Sequence, residues 1–192
     1  AVDCETCPAG RSQPASGQSE CVACTAGRFS AENNTVDCEA CPAGRSQPAS
    51  GQSACLPCAP GTHQPVAGQP FCEPCSAFQL GRESHAGATT CDFCGENLYL
   101  GDDRDAVDGR NCFECPAHAT CAAGTTLQTL HVHPGYWRTE ATSPKLKACF
   151  LKSACVGGNS SVMCAEGYHR TLCASCEPNF YREVSTGECR EC

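Results

Sequence analysis

The spacing of the cysteines constrains this chain more than any other feature. In the first part of the sequence, the first cysteine of each CxxC pair recurs every 17 residues, at Cys4, Cys21, Cys38, Cys55 and Cys72. The segment CPAGRSQPASGQS occurs at residues 7–19 and again, unchanged, at residues 41–53. Later pairs begin at Cys91 and Cys112, after longer steps. A fixed step with drifting later copies predicts a stacked or beaded array of small repeats.

The apolar content is too low for an ordinary hydrophobic core. Leu, Val and Phe together number 25 of the 192 residues, and there is no Ile. Chains below about 20% in such residues tend to stay disordered unless something else constrains them. The 22 cysteines supply that constraint, because each disulfide reduces the conformational entropy of the unfolded chain. We therefore expect a small disulfide-rich fold, mostly irregular with short β-hairpins, forming an elongated array of repeats with no large hydrophobic core.

The cysteines also predict the compartment. Disulfides persist in oxidising environments, so we expect an extracellular or cell-surface protein that passes through the secretory pathway. Two glycosylation sequons agree with this prediction, at Asn33 and Asn159. No apolar run is long enough to span a bilayer, and the absence of a signal peptide suggests a mature form or an internal piece. The net charge of −8 argues against a nucleic-acid partner.

Turn signals divide the chain into five stretches. Regular 17-residue repeats occupy residues 1–75, and diverged CxxC repeats follow at 76–121. In the repeats, Gly stands three residues after a CxxC pair, and Gly or Asn stands four before the next, which predicts two tight turns around a short extended stretch. No helical apolar period is present in residues 1–110.

Residues 122–148 form a β-hairpin-like insert, in which Pro134-Gly135 is expected to turn the strand of Leu130 and Val132 back into Tyr136-Trp137. Cysteine-dense residues 149–175 and a further repeat at 176–192 complete the chain.

The repeated block resembles a known extracellular module. CPAGRSQPASGQS-x-CxxC is similar to the ephrin-receptor-like cysteine-rich repeat, which is itself similar to the first half of tumour-necrosis-factor-receptor cysteine-rich modules. The resemblance covers residues 4–115 and resumes at 176–192. Residues 164–176, CAEGYHRTLCASC, resemble the end of an EGF-like module, and on that basis 149–175 is assigned as an EGF-like segment. The repeat style is also similar to that of large cell-surface and mastigoneme proteins.

The resemblance implies a disulfide pattern. In those receptor families, the second cysteine of one CxxC pair bonds the first cysteine of the next. Carried over, this gives Cys7–Cys21, Cys24–Cys38, Cys41–Cys55, Cys58–Cys72, Cys75–Cys91, Cys94–Cys112, Cys115–Cys121, Cys149–Cys155, Cys164–Cys173 and Cys176–Cys189. Cys4 and Cys192 are left over, as expected of a segment cut from a longer array. On the sequence alone, the alternative of Cys4–Cys21 with Cys7–Cys24 stays open.

Several patterns suggest metal sites, but each has a simpler interpretation. The C-x2-C-x13-C-x2-C spacing is close to a zinc ribbon, although few basic residues are present to offset four thiolates per site. A redox-active CxxC pair needs a helix start, which none of the pairs has. His131 and His133 share a strand face that is more simply solvated. The acidic residues 101–109 suggest calcium, yet Val107 stands where an oxygen ligand is required. We predict no metal, no cofactor and no catalytic residue.

The expected function is structural. We expect a disulfide-stapled rod that acts as a spacer, an adhesion stalk or a filament-forming subunit, with a ligand-binding receptor-like ectodomain as the alternative. The expected partners are proteins, namely copies of itself or other subunits of an extracellular assembly, and glycans are possible. Lys145, Lys147 and Lys152 form the basic cluster, which contacts an anionic glycan or a neighbouring subunit, or else is a solvated loop. Trp137 is expected in the core, with partner contact as the alternative.

Overall fold

A computed structural model describes residues 6–15, 20–78, 80–102, 109–159 and 163–192 of the 192-residue chain. The chain forms two compact units, Ala1–Asp92 and Phe93–Cys192, here called unit 1 and unit 2. No helix among the described residues is long and apolar enough to cross a membrane.

Short strands account for most of the regular structure in the described residues. In unit 1 the strands are β1 Arg11–Ser12, β2 Val22–Ala23, β3 Arg28–Phe29, β4 Glu39–Ala40, β5 Arg45–Ser46, β6 Leu56–Pro57, β7 Thr62–His63, β8 Glu73–Pro74 and β9 Arg82–Glu83, with one helix, α1 Cys75–Phe78. In unit 2 they are β10 Phe93–Cys94, β11 Leu98–Asp102, β12 Arg110–Glu114, β13 Ala119–Thr120, β14 His131–Val132, β15 Tyr136–Arg138, β16 Leu146–Ala148, β17 Tyr168–His169, β18 Ser175–Cys176, β19 Phe180–Arg182 and β20 Cys189–Glu191. Two 3-10 turns lie at Lys152–Ala154 and Thr171–Cys173.

Each repeat of unit 1 is a small antiparallel hairpin. In the second repeat, Gly27 turns the chain at a φ of 80°, and the strand that follows pairs with the strand inside the next CxxC, so that Arg28 lies opposite Ala40. The Arg28 side chain closes the hairpin by donating from Nη1 to the Cys38 carbonyl at 2.8 Å. Pairs β1/β2, β5/β6 and β7/β8 are antiparallel in the same way. The turn–strand–turn prediction for the repeats is therefore confirmed in unit 1.

Successive repeats of unit 1 are joined by main-chain hydrogen bonds. The Gly27 N–H donates to the Gln47 carbonyl at 2.7 Å, and the Gly44 N–H donates to the Gln64 carbonyl at 2.8 Å. The Gly51 N–H donates to the Cys24 carbonyl at 2.7 Å, which is a second hydrogen bond between the two repeats that contain Gly27 and Gln47. Because each repeat is bonded to the next through its backbone, unit 1 is a stacked array and not a string of independent beads.

All ten disulfides follow the pattern implied by the resemblance, from Cys7–Cys21 to Cys176–Cys189. Their Cα–Cα distances run from 5.3 to 6.4 Å, within the range that a disulfide requires. The alternative that pairs Cys7 with Cys24 is wrong, because Cys7 is bonded to Cys21 and Cys24 to Cys38. Cys192 is free and exposed, and Cys4 lies outside the described residues.

Sulfur fills the interior of unit 1. Every buried apolar residue described there is a disulfide cysteine, namely Cys7, Cys24, Cys41, Cys55, Cys58, Cys75 and Cys91. The other buried residues described in unit 1 are the turn glycines Gly10, Gly27 and Gly44 and a set of polar residues. Among the polar residues, Gln47 donates from Nε2 to the Ala54 carbonyl at 2.7 Å. The prediction of a fold without a large hydrophobic core is confirmed here.

Unit 2 combines disulfides with two small apolar clusters. The first cluster contains Tyr99, Cys121, Leu130, Val132 and Met163, with Leu130 and Val132 both fully buried. The second contains Cys149, Ala154, Cys155, Tyr168 and Cys173. Trp137 is half-buried and packs against both clusters, so the prediction that it belongs to the core is correct for part of its surface.

The predicted hairpin in residues 122–148 is paired differently from the expectation. The chain does turn at Pro134-Gly135, but β14 and β15 on either side of the turn do not pair with each other. Instead, β14 pairs with the preceding strand β13, and β15 pairs with the following strand β16. The reason is that this stretch repeats the unit 1 hairpin. Tyr136 lies opposite Ala148 as Arg11 lies opposite Ala23, and the Cys149 N–H donates to the Gly135 carbonyl as the N–H of the corresponding unit 1 cysteine does to its glycine.

This repeat has lost its disulfide. Val132 and Leu146 are 14 positions apart, as Cys7 and Cys21 are. Val132 stands three residues before the turn glycine Gly135, and Leu146 stands three residues before Cys149, which are the positions of Cys7 and Cys21 in their own repeat. Val132 is fully buried in the first cluster and Leu146 packs against that cluster. An apolar pair therefore stands where unit 1 has a cystine.

We predict that the double variant Val132→Cys/Leu146→Cys forms an eleventh disulfide. The register of β15 with β16 matches that of β1 with β2, where the equivalent positions carry the Cys7–Cys21 disulfide. Closing a loop of 14 residues contributes about 3 kcal/mol in the chain-entropy model. The measurement is intact mass after alkylation without reduction. The double variant should gain no label over the native chain, whereas each single variant should gain one; labelling of both new thiols would contradict the equivalence.

Candidate interaction surfaces

The patterns that suggested chemistry are not assembled into metal sites within the described residues. The one group with metal-ligand spacing is His63 with Cys75 and Cys91, and those two sulfurs are joined in a disulfide, so they carry no thiolate. The ten disulfides likewise rule out the zinc-ribbon interpretation for the cysteines that form them. In the acidic stretch, residues 103–108 lie outside the described residues, so the calcium interpretation has no outcome.

The two strand histidines do not face a common ligand. His131 is exposed, and the Nε2 atom of His133 lies 2.8 Å from the Thr120 hydroxyl. Neither histidine belongs to a group of three metal-ligating side chains in the described part of the chain. Their hydrogen-bonded and solvated setting agrees with an ordinary strand face.

The three lysines lie around one hairpin of unit 2. Lys147 lies in β16, directly opposite Trp137 in β15, and Lys145 immediately precedes that strand. A Cβ built on Gly135 would come within 3.3 Å of the Lys152 side chain, which places Lys152 against the turn that begins β15. All three are exposed, and no ion pair to them is found in the described ranges. We call Lys145, Lys147 and Lys152 the lysine face.

The described ion pairs lie elsewhere in unit 2. Arg190 contacts Glu183 at 2.7 Å and Glu188 at 3.5 Å. Hydrogen bonds from Thr186 and then from Arg190 lower the pKa of Glu183 below its ordinary value. The lysine face has no such compensation, so its charge is available to a partner.

A small depression lies beside Trp137, the residue opposite Lys147. It has a volume of about 190 Å³ and is lined by Trp137, Arg138, Glu140, Asn159, Met163 and two further residues of the 139–141 turn. Arg138 is only 5% exposed, and its guanidinium donates to the carbonyls of Leu127 at 2.6 Å and Ala141 at 3.2 Å. Burial lowers the pKa of Arg138 from its ordinary value. A buried cation held by carbonyls stabilises the turn.

Unit 1 presents a different, repetitive surface. In four of its CxxC pairs, the second residue lies in the second strand of a hairpin and is exposed, and these residues are Val22, Glu39, Leu56 and Glu73. Lys147 occupies the corresponding position in unit 2, because Leu146-Lys147-Ala148-Cys149 aligns with Cys38-Glu39-Ala40-Cys41 by strand register. The equivalent strand position is therefore apolar or acidic in these four hairpins of unit 1 and basic at Lys147.

The sequon asparagines are both exposed. The Oδ1 atom of Asn33 accepts a hydrogen bond from the Ala9 N–H at 2.9 Å, which does not use the Nδ2 atom that a glycan would modify. The Thr35 hydroxyl of the same sequon donates to the Arg11 carbonyl at 3.1 Å. Asn159 lines the depression near Trp137. Glycosylation at either site stays a prediction.

Two interactions had no sequence signal. The first is the burial of Arg138, because the sequence around it contains no pattern that indicates a buried side chain. His118 stacks on Tyr136 with ring centroids 3.8 Å apart, although 18 residues separate them. His118 takes a positive φ of 70° in the motif CPAHAT, where the first repeats have glycine in CPAGRS. Alignment of those two motifs is the one sequence signal that could have identified its turn.

Comparison with known proteins identifies the repeats. Residues 12–51 and 47–90 match the family described as "Tyrosine-protein kinase ephrin type A/B receptor-like", as two adjacent copies. Unit 1 therefore carries ephrin-receptor-like cysteine-rich repeats, a non-catalytic ectodomain type, and no enzyme family is indicated. No curated protein matches the chain significantly. The match does not extend to residues 149–175, whose EGF-like assignment stays a prediction.

Proposed function

On the premise that residues 12–90 hold ephrin-receptor-like cysteine-rich repeats, we propose that the chain is a structural segment of an extracellular protein. It serves as a spacer, an adhesion stalk or a filament-forming subunit. The observation that carries the proposal is the main-chain hydrogen bonding between neighbouring repeats of unit 1, from Gly27 to Gln47 and from Gly44 to Gln64. These backbone contacts require glycine at the turn but do not use the outward side chains, so copies can be stacked while their outward residues vary.

The identity of residues 8–19 with residues 42–53 supports a structural role. A surface that recognises one ligand usually differs from repeat to repeat, whereas a spacer or a lattice contact is served by the same surface repeated. The proposed partners are accordingly copies of this chain or other subunits of an extracellular assembly, with glycans as further partners. A mastigoneme-like filament is one form that such an assembly would take, given the similarity in repeat style to mastigoneme proteins.

The alternative is a receptor-like ectodomain. The description of the matched family favours it, as does the depression beside the half-buried Trp137 in unit 2. Under this alternative, unit 2 contains the residues that contact the ligand, and unit 1 is the structural support for the binding region. The two proposals share the extracellular location and the secretory route, which the disulfide-rich repeat type supports.

Electron microscopy of the native protein on its source cells tests the proposal. An antibody against residues 20–40, which lack a near-identical copy elsewhere in the chain, would mark unit 1. Labels at regular intervals along a filament or stalk are the expected result. Dispersed labels, together with saturable binding of a soluble protein that is abolished by Trp137→Ala, would instead establish the receptor-like alternative.

A further inference from the structure

Charge is segregated along this chain. Residues 116–176 contain five Lys or Arg and two Asp or Glu, for a formal charge of +3, although the whole chain carries −8. The remaining residues hold eight cations against nineteen acids. All three lysines of the chain belong to the basic stretch and form the lysine face. This stretch of unit 2 is thus opposite in charge to the rest of the chain.

The acidic side has a regular geometry in unit 1. Glu39 in β4 and Glu73 in β8 stand at equivalent positions in hairpins two repeats apart, and both are exposed. Neither carboxylate has an ion-pair partner in the part of unit 1 that the structure describes. Nearby cations are engaged with the backbone, as Arg28 is with the Cys38 carbonyl. We call Glu39 and Glu73 the glutamate face.

We propose that the lysine face of one copy binds the glutamate face of a second copy. Lys147 and the two glutamates lie at equivalent positions of three hairpins with the same strand register, and these positions carry opposite charges. The two faces differ, so a pair of copies joined in this way still has one lysine face and one glutamate face unoccupied, on different copies. A contact of this heterologous kind generates an open chain of copies unless its rotation closes a ring. This inference rests on the proposed structural function, for which it supplies the partner.

Sedimentation of the full-length, oxidised protein over a range of concentrations tests the contact. We expect association at low salt that weakens as salt is raised, because the Debye length falls from about 10 Å at 0.1 M to about 3 Å at 1 M. The variant Lys145→Glu/Lys147→Glu/Lys152→Glu should associate about tenfold more weakly or not at all. The matched Lys→Arg triple variant keeps the charges and should associate as the native chain does.

Mixing two variants makes the test specific to this pairing. Glu39→Gln/Glu73→Gln should also lose self-association, while its lysine face remains intact. Mixed with the Lys→Glu triple variant, it should form one-to-one complexes and no longer species, because each partner has one functional face. Native protein that stays monomeric at low salt, or a Lys→Glu variant that still associates, would overturn the proposal.

A sulfated polysaccharide is the other ligand that a lysine face could take. Retention of the native chain on a sulfated-polysaccharide column, lost in the Lys→Glu variant but without self-association of the native chain, would assign the face to glycan and overturn the pairing of copies. None of these outcomes bears on the microscopy result, so the structural function and the self-contact can fail separately.

Discussion

Replacing Gly27 with alanine should destabilise unit 1 severely. Gly27 has a φ of 80°, which costs an L-residue about 1–2 kcal/mol. An added Cβ would also lie 2.1 Å from the Gly68 carbonyl oxygen, in a repeat two steps along the stack. That oxygen belongs to the backbone, so it cannot rotate away, and overpacking adds about 1–3 kcal/mol. Together these effects predict a loss of about 2–5 kcal/mol, measured by urea unfolding of the oxidised protein.

Gly68→Ala is the matched control for this effect. Gly68 also has a φ of 80°, but its added Cβ would meet the Ala40 Cβ at 3.6 Å, an ordinary contact. The control should therefore lose only the backbone cost of about 1–2 kcal/mol. If the two variants lost the same free energy of unfolding, the close approach between repeats would not be the reason that position 27 requires glycine.

The sequence was sufficient to predict what is local to a repeat. The step of 17 residues located the turn at Gly27, and the family resemblance implied the partner of every described cysteine except the free Cys192. The contact of Gly27 with Gly68 could not be predicted, because it joins positions 41 residues apart whose distance depends on how the repeats stack. Short-range patterns fix a hairpin, but the geometry between hairpins is set by hydrogen bonds that cross repeats.

The insert was misread for a related physical reason. Without cysteines to mark it, the alternation around Val132 and the turn at Gly135 predicted a self-contained hairpin. The backbone of a repeat is instead defined by its turn and by the strand before the next cysteine, and an apolar pair can replace the cystine that joins them. Only the 14-residue separation of Val132 and Leu146 carries that information, and it is not visible in periodicity alone.

The candidate surfaces were predicted in part. The lysines were recognised as a basic cluster from their spacing, but their shared hairpin position with Glu39 follows only from the register of β16 with β15 and of β4 with β3. Arg138 was not recognised as buried. Its burial depends on carbonyls of the 127–128 turn, which are brought to it by the chain's path and not by any local motif.

Removing the Cys41–Cys55 disulfide should disrupt a region wider than its own loop. Both sulfurs are buried, and closing a loop of 14 residues contributes about 3 kcal/mol in the chain-entropy model, to which the cavity left by alanine adds. The neighbouring repeats donate to or accept from this repeat through Gly27 and Gly51. In Cys41→Ala/Cys55→Ala, amide hydrogen exchange should therefore lose protection across residues 20–72.

Cys176→Ala/Cys189→Ala provides the comparison, because its loop of 13 residues has nearly the same closure entropy. Cys176 and Cys189 are only half-buried, so alanine leaves less of a cavity there. In unit 2, Tyr168 also remains to accept from the Cys189 N–H at 3.0 Å. Loss of protection should stay close to residues 176–192. Equal damage from both variants, or damage confined to residues 41–55 in the first, would mean that the repeats of unit 1 fold independently and that sulfur does not hold the stack together.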